Sequence, residues 1–502
     1  MKILYLIIFV YVLNINYALS QNWGGKLTAV PTAEISNLDP YMSGGWANRQ
    51  AKENLYEPLV ALDSNGNLDG RVASSWEITN NGKEYIFNIR KNIYFHNGKK
   101  LTAKDVKYSL DRARDPKTGA RSWKILEKIS NVEIINDYKI KLTFTQPDNL
   151  FLKQIYNYTM IIPADDSINH KRNPVGSGPF KLVEFNSEHL LLERFNNYYT
   201  EGLPYLDNLE FKFVAEASTK SYLLETNAVD FVKSLPYIQT KDLENNDKIV
   251  IDFGKNIEGP VLFFLPVLTL KDSPMNNTKV RQALSYSLDR EQIMKVAYGG
   301  MTTGAVARST LVPIKDPLYN KGQTTYERDI SKAKTLMKEA GYANGVNIDF
   351  YPLLRSSEDE TVATIIQQNA KEAGINLKIN RMDVPTWVSG LKNKKLELPF
   401  GSTYSMPGAY EQIWMIQGRM HSGYIDLKKY DKEFYNKQLN ASSLSNINDF
   451  KKEIMDIQKI SSEQQYVIVV GDIPTIFAFR NNVKGFESNP VGSMYYRKMW
   501  KN

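Results

Sequence analysis

The sequence predicts an α/β protein of two or more domains, and three observations carry that reading. The chain has 502 residues, more than one hydrophobic core usually serves. Residues 346–353, 361–373 and 375–379 read as strand, helix and strand, the order of a parallel βαβ unit. Just past the middle, the apolar run Val261-Leu-Phe-Phe-Leu-Pro-Val-Leu268 reads as a buried strand. Residues 280–294 follow it, with Val280, Ala283, Leu284, Ser287, Leu288 and Ile293 on one stripe of near-helical spacing. The polar loop between them, residues 271–277, carries Pro274 and the pair Asn276 and Asn277 as turn residues.

The N-terminus reads as a cleavable export signal over residues 1–20. Lys2 supplies the positive charge, residues 3–13 are almost unbroken apolar, and Ala18, Leu19 and Ser20 form a small-x-small cleavage site. The apolar run is short for a membrane span, so a soluble mature chain starting at Gln21 is expected. There are no cysteines, hence no disulfides and no lipid-attachment thiol, which points to a periplasm. Hydrophobic residues make up 42% and charged residues 24%, as in ordinary globular proteins. The net charge is +8, but bases and acids are interleaved, and a nucleic-acid surface would need them clustered on one face.

Taken in order, residues 27–35 read as a first strand, closed by the turn chemistry of Leu38, Asp39 and Pro40. A helix over 48–57 follows, then a hairpin turn at residues 63–66. Residues 85–90 alternate as a strand does, Asn97 and Gly98 form a tight turn, and Thr102 is placed to cap a helix holding Val106 and Leu110 on one face. Residues 132–135 and 139–144 form another hairpin. Gly176, Ser177 and Gly178 are weak evidence for phosphate binding, because no Lys-Ser/Thr pair and no helix start follow. Strands over 190–194 and 209–214 and a helix over 219–226 come next. Asp329 opens an amphipathic helix with Ala333, Leu336, Met337 and Ala340 inward and Gly341 as stop. Helical runs over 429–439 and 448–461 precede a last apolar segment, 467–479.

Several of these phrases, in this order, resemble the bacterial extracellular solute-binding proteins of family 5. They are Leu38-Asp-Pro40, Ser75-Trp-Glu77, Tyr94-Phe-His-Asn-Gly98, Leu101-Thr-Ala-Lys-Asp-Val-Lys-Tyr-Ser-Leu110, Val280-Arg-Gln-Ala-Leu-Ser-Tyr-Ser-Leu-Asp-Arg290 and the helix from Asp329 to Tyr342. The resemblance covers nearly all of the chain after residue 20. It implies a two-lobed periplasmic binding protein of the cluster C type, with mixed sheets flanked by helices and an extra subdomain in the first lobe. By that pattern the first lobe takes residues 21–56, 172–262 and 475–502, its extra subdomain 57–171, and the second lobe 263–474. Hinges are expected near 260–266 and 467–474. The implied activity is that of a monomeric ABC-importer receptor. It would close on a peptide-like or other small organic solute and deliver it to an inner-membrane permease.

The same pattern implies a ligand lining from Gly44, Gly45 and Trp46, from Trp123, from Trp387, and from Tyr404, Met406 and Tyr410 in the loop 401–410, with Phe264 on the crossover strand. Two glycines before Trp46 let backbone approach a ligand. Peptide-binding relatives place an acid in that loop to neutralise the peptide's α-amino group. Here Met406 stands there, and residues 401–410 contain no Asp or Glu; Glu411 is the nearest. An unpaired buried ammonium would cost several kcal/mol, so the solute is a peptide with another partner, or a neutral, apolar or anionic one: a modified peptide, a glycoside, an opine-like conjugate or a nickel or other metal chelate.

No cofactor, metal site or catalytic centre is expected. His96, His170, His189 and His421 lie outside metal-ligand spacing of one another, and no Gly-x-Ser-x-Gly, His-Glu-x-x-His or Walker phrase occurs. His421 alone is weighed as a chelate contact against surface packing. The competing classes are a secreted hydrolase and a peptide-holding chaperone.

Overall fold

The computed structural model describes residues 22–42, 45–120, 122–148, 151–156, 159–253, 260–300, 310–312, 314, 316–404, 427–441, 443–444, 446–473, 475–487 and 494–502. Residues 1–20, the expected export signal, and the expected cleavage site lie outside them.

Two mixed sheets dominate. The first has seven strands in the order Ile249–Asp252, Phe477–Arg480, Phe231–Lys233, Lys26–Val30, Asn208–Lys212, His189–Arg194 and Phe180–Phe185. Lys26–Val30 runs parallel to both its neighbours, and the other pairings are antiparallel. The second has five, in the order Ile375–Ile379, Val346–Pro352, Leu398–Tyr404, Pro260–Phe264 and Ile468–Asp472. Its first three strands are parallel, its last two pairings antiparallel. A four-stranded antiparallel sheet, Ala73–Thr79, Glu84–Ile89, Lys139–Phe144 and Ile129–Asn136, packs onto the first sheet through one continuous core.

The local chemistry explains most of these elements. Glu84–Ile89 and Lys139–Phe144 alternate buried and half-buried residues, the mark of a strand with one face on a core. Helix Ala103–Arg114 starts in a capping box between Thr102 and Asp105. Helix Ile330–Glu339 starts where the Asp329 carboxylate accepts from the Lys332 N–H. Strand Val346–Pro352, helix Ser357–Glu372 and strand Ile375–Ile379 form the expected parallel βαβ unit. Pro260–Phe264 sits inside the second sheet and is buried on both faces. Leu262 and Phe264 pack with helices Thr278–Ser287 and Arg290–Tyr298, Val261 and Phe263 with helix Ile447–Gln464 on the other side. The Gly-Ser-Gly stretch is a packing device. A side chain on Gly176 or Gly178 would stand 1.9 or 2.5 Å from the Leu55 backbone, and the Gly178 N–H donates to the Leu55 carbonyl at 3.0 Å.

Two expectations are corrected. The stripe over 280–294 is two helices, because Leu288 turns extended and the Asp289 carboxylate caps a new start by accepting from the Gln292 N–H. The connections between the two large sheets run from Asp252 to Pro260 and from Asp472 to Phe477. Pro260–Phe264 and Ile468–Asp472 themselves are hydrogen-bonded strands, and a paired strand resists the backbone rotation a hinge must absorb.

Candidate functional site

In the second sheet the chain leaves Val346–Pro352 for Ile375–Ile379 on one side, then crosses back to Leu398–Tyr404 on the other. Strand order therefore reverses at Val346–Pro352. Open α/β sheets bind ligands in the crevice outside the carboxyl ends at such a point. Arg355 stands there, three residues beyond the strand, and is about half exposed. Its Nη2 donates to Ser402 Oγ at 2.7 Å on the neighbouring strand, and its N–H donates to the Asp359 carboxylate at 2.9 Å. Burial pushes the Asp359 carboxyl up, against the pull of Arg355. Tyr298, buried beside Asp359 and Glu358, is raised for the same reason and by their charges.

Trp387 lies under this edge. Asp383 caps its helix, Val384–Lys392, which turns the indole toward the strands. Nε1 donates to the Tyr351 carbonyl at 2.9 Å, the ring meets Gly401, and a small cluster with Leu391 and Leu396 leaves it 8% exposed. Phe264 has no exposed surface; Phe400 and Phe350 enclose its ring at 4.8 and 5.6 Å. Its expected place in the lining is corrected: it is core, because the strand is covered on both faces. Tyr404 ends strand Leu398–Tyr404, its backbone paired with Pro260. Gly45 and Trp46 open helix Gly45–Leu55, and Trp123, half-buried, opens the short helix Trp123–Leu126. Gly44, Met406, Tyr410, Glu411 and His421 lie outside the described residues. Ser402 falls in the loop 401–410 that the sequence points to, whereas nothing in the sequence marks Arg355, which only the reversal of strand order, read with the strand ends, singles out.

In the first sheet strand Lys26–Val30, parallel to both neighbours, leads into the loop ahead of Gly45, and that loop is tied down. The Asp39 carboxylate accepts two bonds from Arg112, at 3.2 and 2.6 Å, and one from the Tyr41 N–H. Burial pushes Asp39 up, but those donors together hold it below the usual carboxylate range. Tyr56 donates to the Leu38 carbonyl and lies 3.3 Å from His170 Nδ1. His170 is buried, and burial depresses it from 6.5 to about 4. The unfolded chain takes up this proton near pH 6.5 and the folded one only near 4, so stability falls as pH drops between those values. About 3 kcal/mol is expected to be lost by pH 4 through this group. His96, depressed to about 4 by burial as well, adds a like loss, so urea unfolding at pH 7 and pH 4.5 measures both, and His170→Gln should remove only its own share of the fall.

Two further concavities lie elsewhere: about 910 Å³ around Arg90, Tyr138 and Lys139, and about 510 Å³ around Trp23, Tyr94 and Tyr199. Both are open grooves, the first at the Ile89, Asn136 and Lys139 ends of the four-stranded sheet, the second beside Arg194 at the end of strand His189–Arg194. Among the described residues, no group of three or more His, Cys, Asp or Glu could hold a metal ion, and no helix is long and apolar enough to cross a membrane.

Two mixed sheets joined by two crossovers give this chain the fold of the two-lobed periplasmic binding proteins. The chain belongs to the bacterial extracellular solute-binding proteins, family 5, whose model matches residues 67–420. It is 28% identical over 369 residues to the glutathione-binding protein GsiB of Pectobacterium atrosepticum, covering 72% of this chain and 70% of that one. Among solved structures it is similar to DppA of Helicobacter pylori in complex with the peptide STSA, at TM-score 0.83 and 23% identity, covering 96% and 98% of the two chains. It is equally similar to AgaA of A. tumefaciens R10 in complex with agropinic acid, at TM-score 0.83 and 22% identity, covering 95% and 99%.

Proposed function

We propose that this protein is the monomeric receptor of an ABC importer, exported to the periplasm by its N-terminal signal. It captures a carboxylate-bearing, peptide-like solute between its lobes and hands it unchanged to the inner-membrane permease. Family membership supports the receptor role, and relatives that are substrate-binding receptors support binding without turnover. The observation that carries the solute class is Arg355. Its half-exposed guanidinium is braced on Ser402 and Asp359 at the carboxyl edge of the second sheet, a fork that suits a carboxylate. With no acid in residues 401–410, a free amine adds little. We place the lobe boundaries at the two crossovers, ahead of Pro260 and behind Asp472, with residues 57–171 as the subdomain of the first lobe. Gly44, Gly45, Trp46, Trp123, Tyr404, Met406 and Tyr410 remain the proposed partners of Arg355 in the lining.

Calorimetric titration with reduced glutathione, and with a tripeptide and its N-acetylated form, tests the reading. Acetylation is expected to change affinity little. Arg355→Met is expected to weaken the best binder by about 1.5–3 kcal/mol. Tight binding that acetylation abolishes and Arg355→Met leaves intact would transfer recognition to the amine. Turnover of the bound compound would make the protein a hydrolase instead.

A further inference from the structure

Helix Tyr237–Leu243 belongs to the first sheet's flank, where Tyr237 packs against the cluster of Leu224, Leu235 and Leu243. Helix Arg290–Tyr298 belongs to the second sheet's core. The two bodies meet where the second helix ends. Gly299 caps it in the left-handed region, at φ +62, and the Tyr237 ring fills the space above its bare Cα. A methyl group on Gly299 would stand 2.1 Å from Tyr237 Cζ and Oη. Tyr237 does not lie there loosely, since the Lys241 ammonium sits 5.5 Å from its ring centroid and the residue, partly buried, packs against the cluster on the first sheet's flank.

We propose that Tyr237 and Gly299 form a closure latch, in which the ring of one lobe seats on the bare helix end of the other only when the lobes are shut. The inference rests on the receptor reading, in which the lobes move. A ligand that binds the closed form is weakened by whatever lowers the closed population, even at a contact it never touches. The fit requires glycine twice over: the backbone is left-handed, and the ring leaves no room for a Cβ.

The chain has no cysteine of its own, so Ser187→Cys on the first lobe and Lys371→Cys on the second, both exposed, carry one spin label each. Distances are measured in the empty protein and after loading with the small-molecule fraction that denaturation releases from native protein. The same fraction is titrated for affinity. In the unaltered background loading should shorten the distance. Gly299→Ala should shift the loaded protein back toward the long distance and weaken affinity roughly tenfold, the size of ordinary coupling between sites. Adding Tyr237→Ala to Gly299→Ala should restore closure and bring affinity to within about threefold of Tyr237→Ala alone, which a mere loss of helix capping would not do. Closure unaffected by Gly299→Ala, or a defect that Tyr237→Ala fails to relieve, overturns the latch while leaving the receptor reading intact. A distance that loading never changes in the unaltered background overturns the moving-lobe reading, and the latch with it.

Discussion

Arg290→Met is expected to lower the unfolding free energy of the second lobe by about 3–5 kcal/mol, because a buried cation's partners are left stranded when it goes. The guanidinium is buried and donates to carbonyls from separate parts of the lobe: Val469 at 3.0 Å, Ser285 at 3.0 Å and Tyr326 at 2.8 Å, with Ser285 Oγ also at 3.0 Å. Burial alone depresses it to about 10, so it stays charged at neutral pH. Arg281, fully buried, does the same one helix earlier, donating to Met275, Asn276 and Gln464 carbonyls. Arg290→Lys should recover little, since an ammonium cannot reproduce the planar fork. Urea unfolding followed by tryptophan fluorescence measures the loss, and a change below about 1 kcal/mol would mean that water replaces the guanidinium at those carbonyls.

Trp387→Ala is expected to cost about 3–5 kcal/mol of stability, the usual range for deleting a buried aromatic. The ring is nearly enclosed, and its N–H answers the Tyr351 carbonyl. The second lobe should unfold at lower urea while the first keeps its midpoint, so two transitions are expected instead of one. Solute affinity should change mainly through the strand end it supports. A stability change under about 1 kcal/mol together with markedly weaker binding would put the indole in the cleft instead.

These two residues show how far the sequence could be read. Arg290 lay inside the phrase that carried the family resemblance, and its apolar neighbours showed a buried helical stripe. Nothing local marked the arginine as buried, because its acceptors lie 5, 36 and 179 residues away. Trp387 stands where the family pattern puts the ligand lining, yet whether an indole walls a crevice or fills a core depends on what lies above it. Phe264 shows the same limit. Its apolar run announced a buried strand, but its ring is enclosed by Phe350 and Phe400 and the strand's other face by helix Ile447–Gln464, all far along the chain. Arg355 sits in a plain Leu-Leu-Arg-Ser stretch; only the strand order gives it a partner in Ser402.

The sequence by itself determined the α/β class, the family, most element starts and stops, and the absence of an acid from residues 401–410. Each of those rests on short-range chemistry: alternation, helical spacing, caps at Thr102 and Asp329, and turn residues. Tertiary structure alone decided where the crossovers fall, that the stripe over 280–294 breaks in two, that Phe264 has no exposed face, and that Tyr237 meets Gly299. Those outcomes depend on pairing and close packing between segments far apart in the chain. Such contacts are fixed by what fits in three dimensions, and a one-dimensional pattern holds no record of fit.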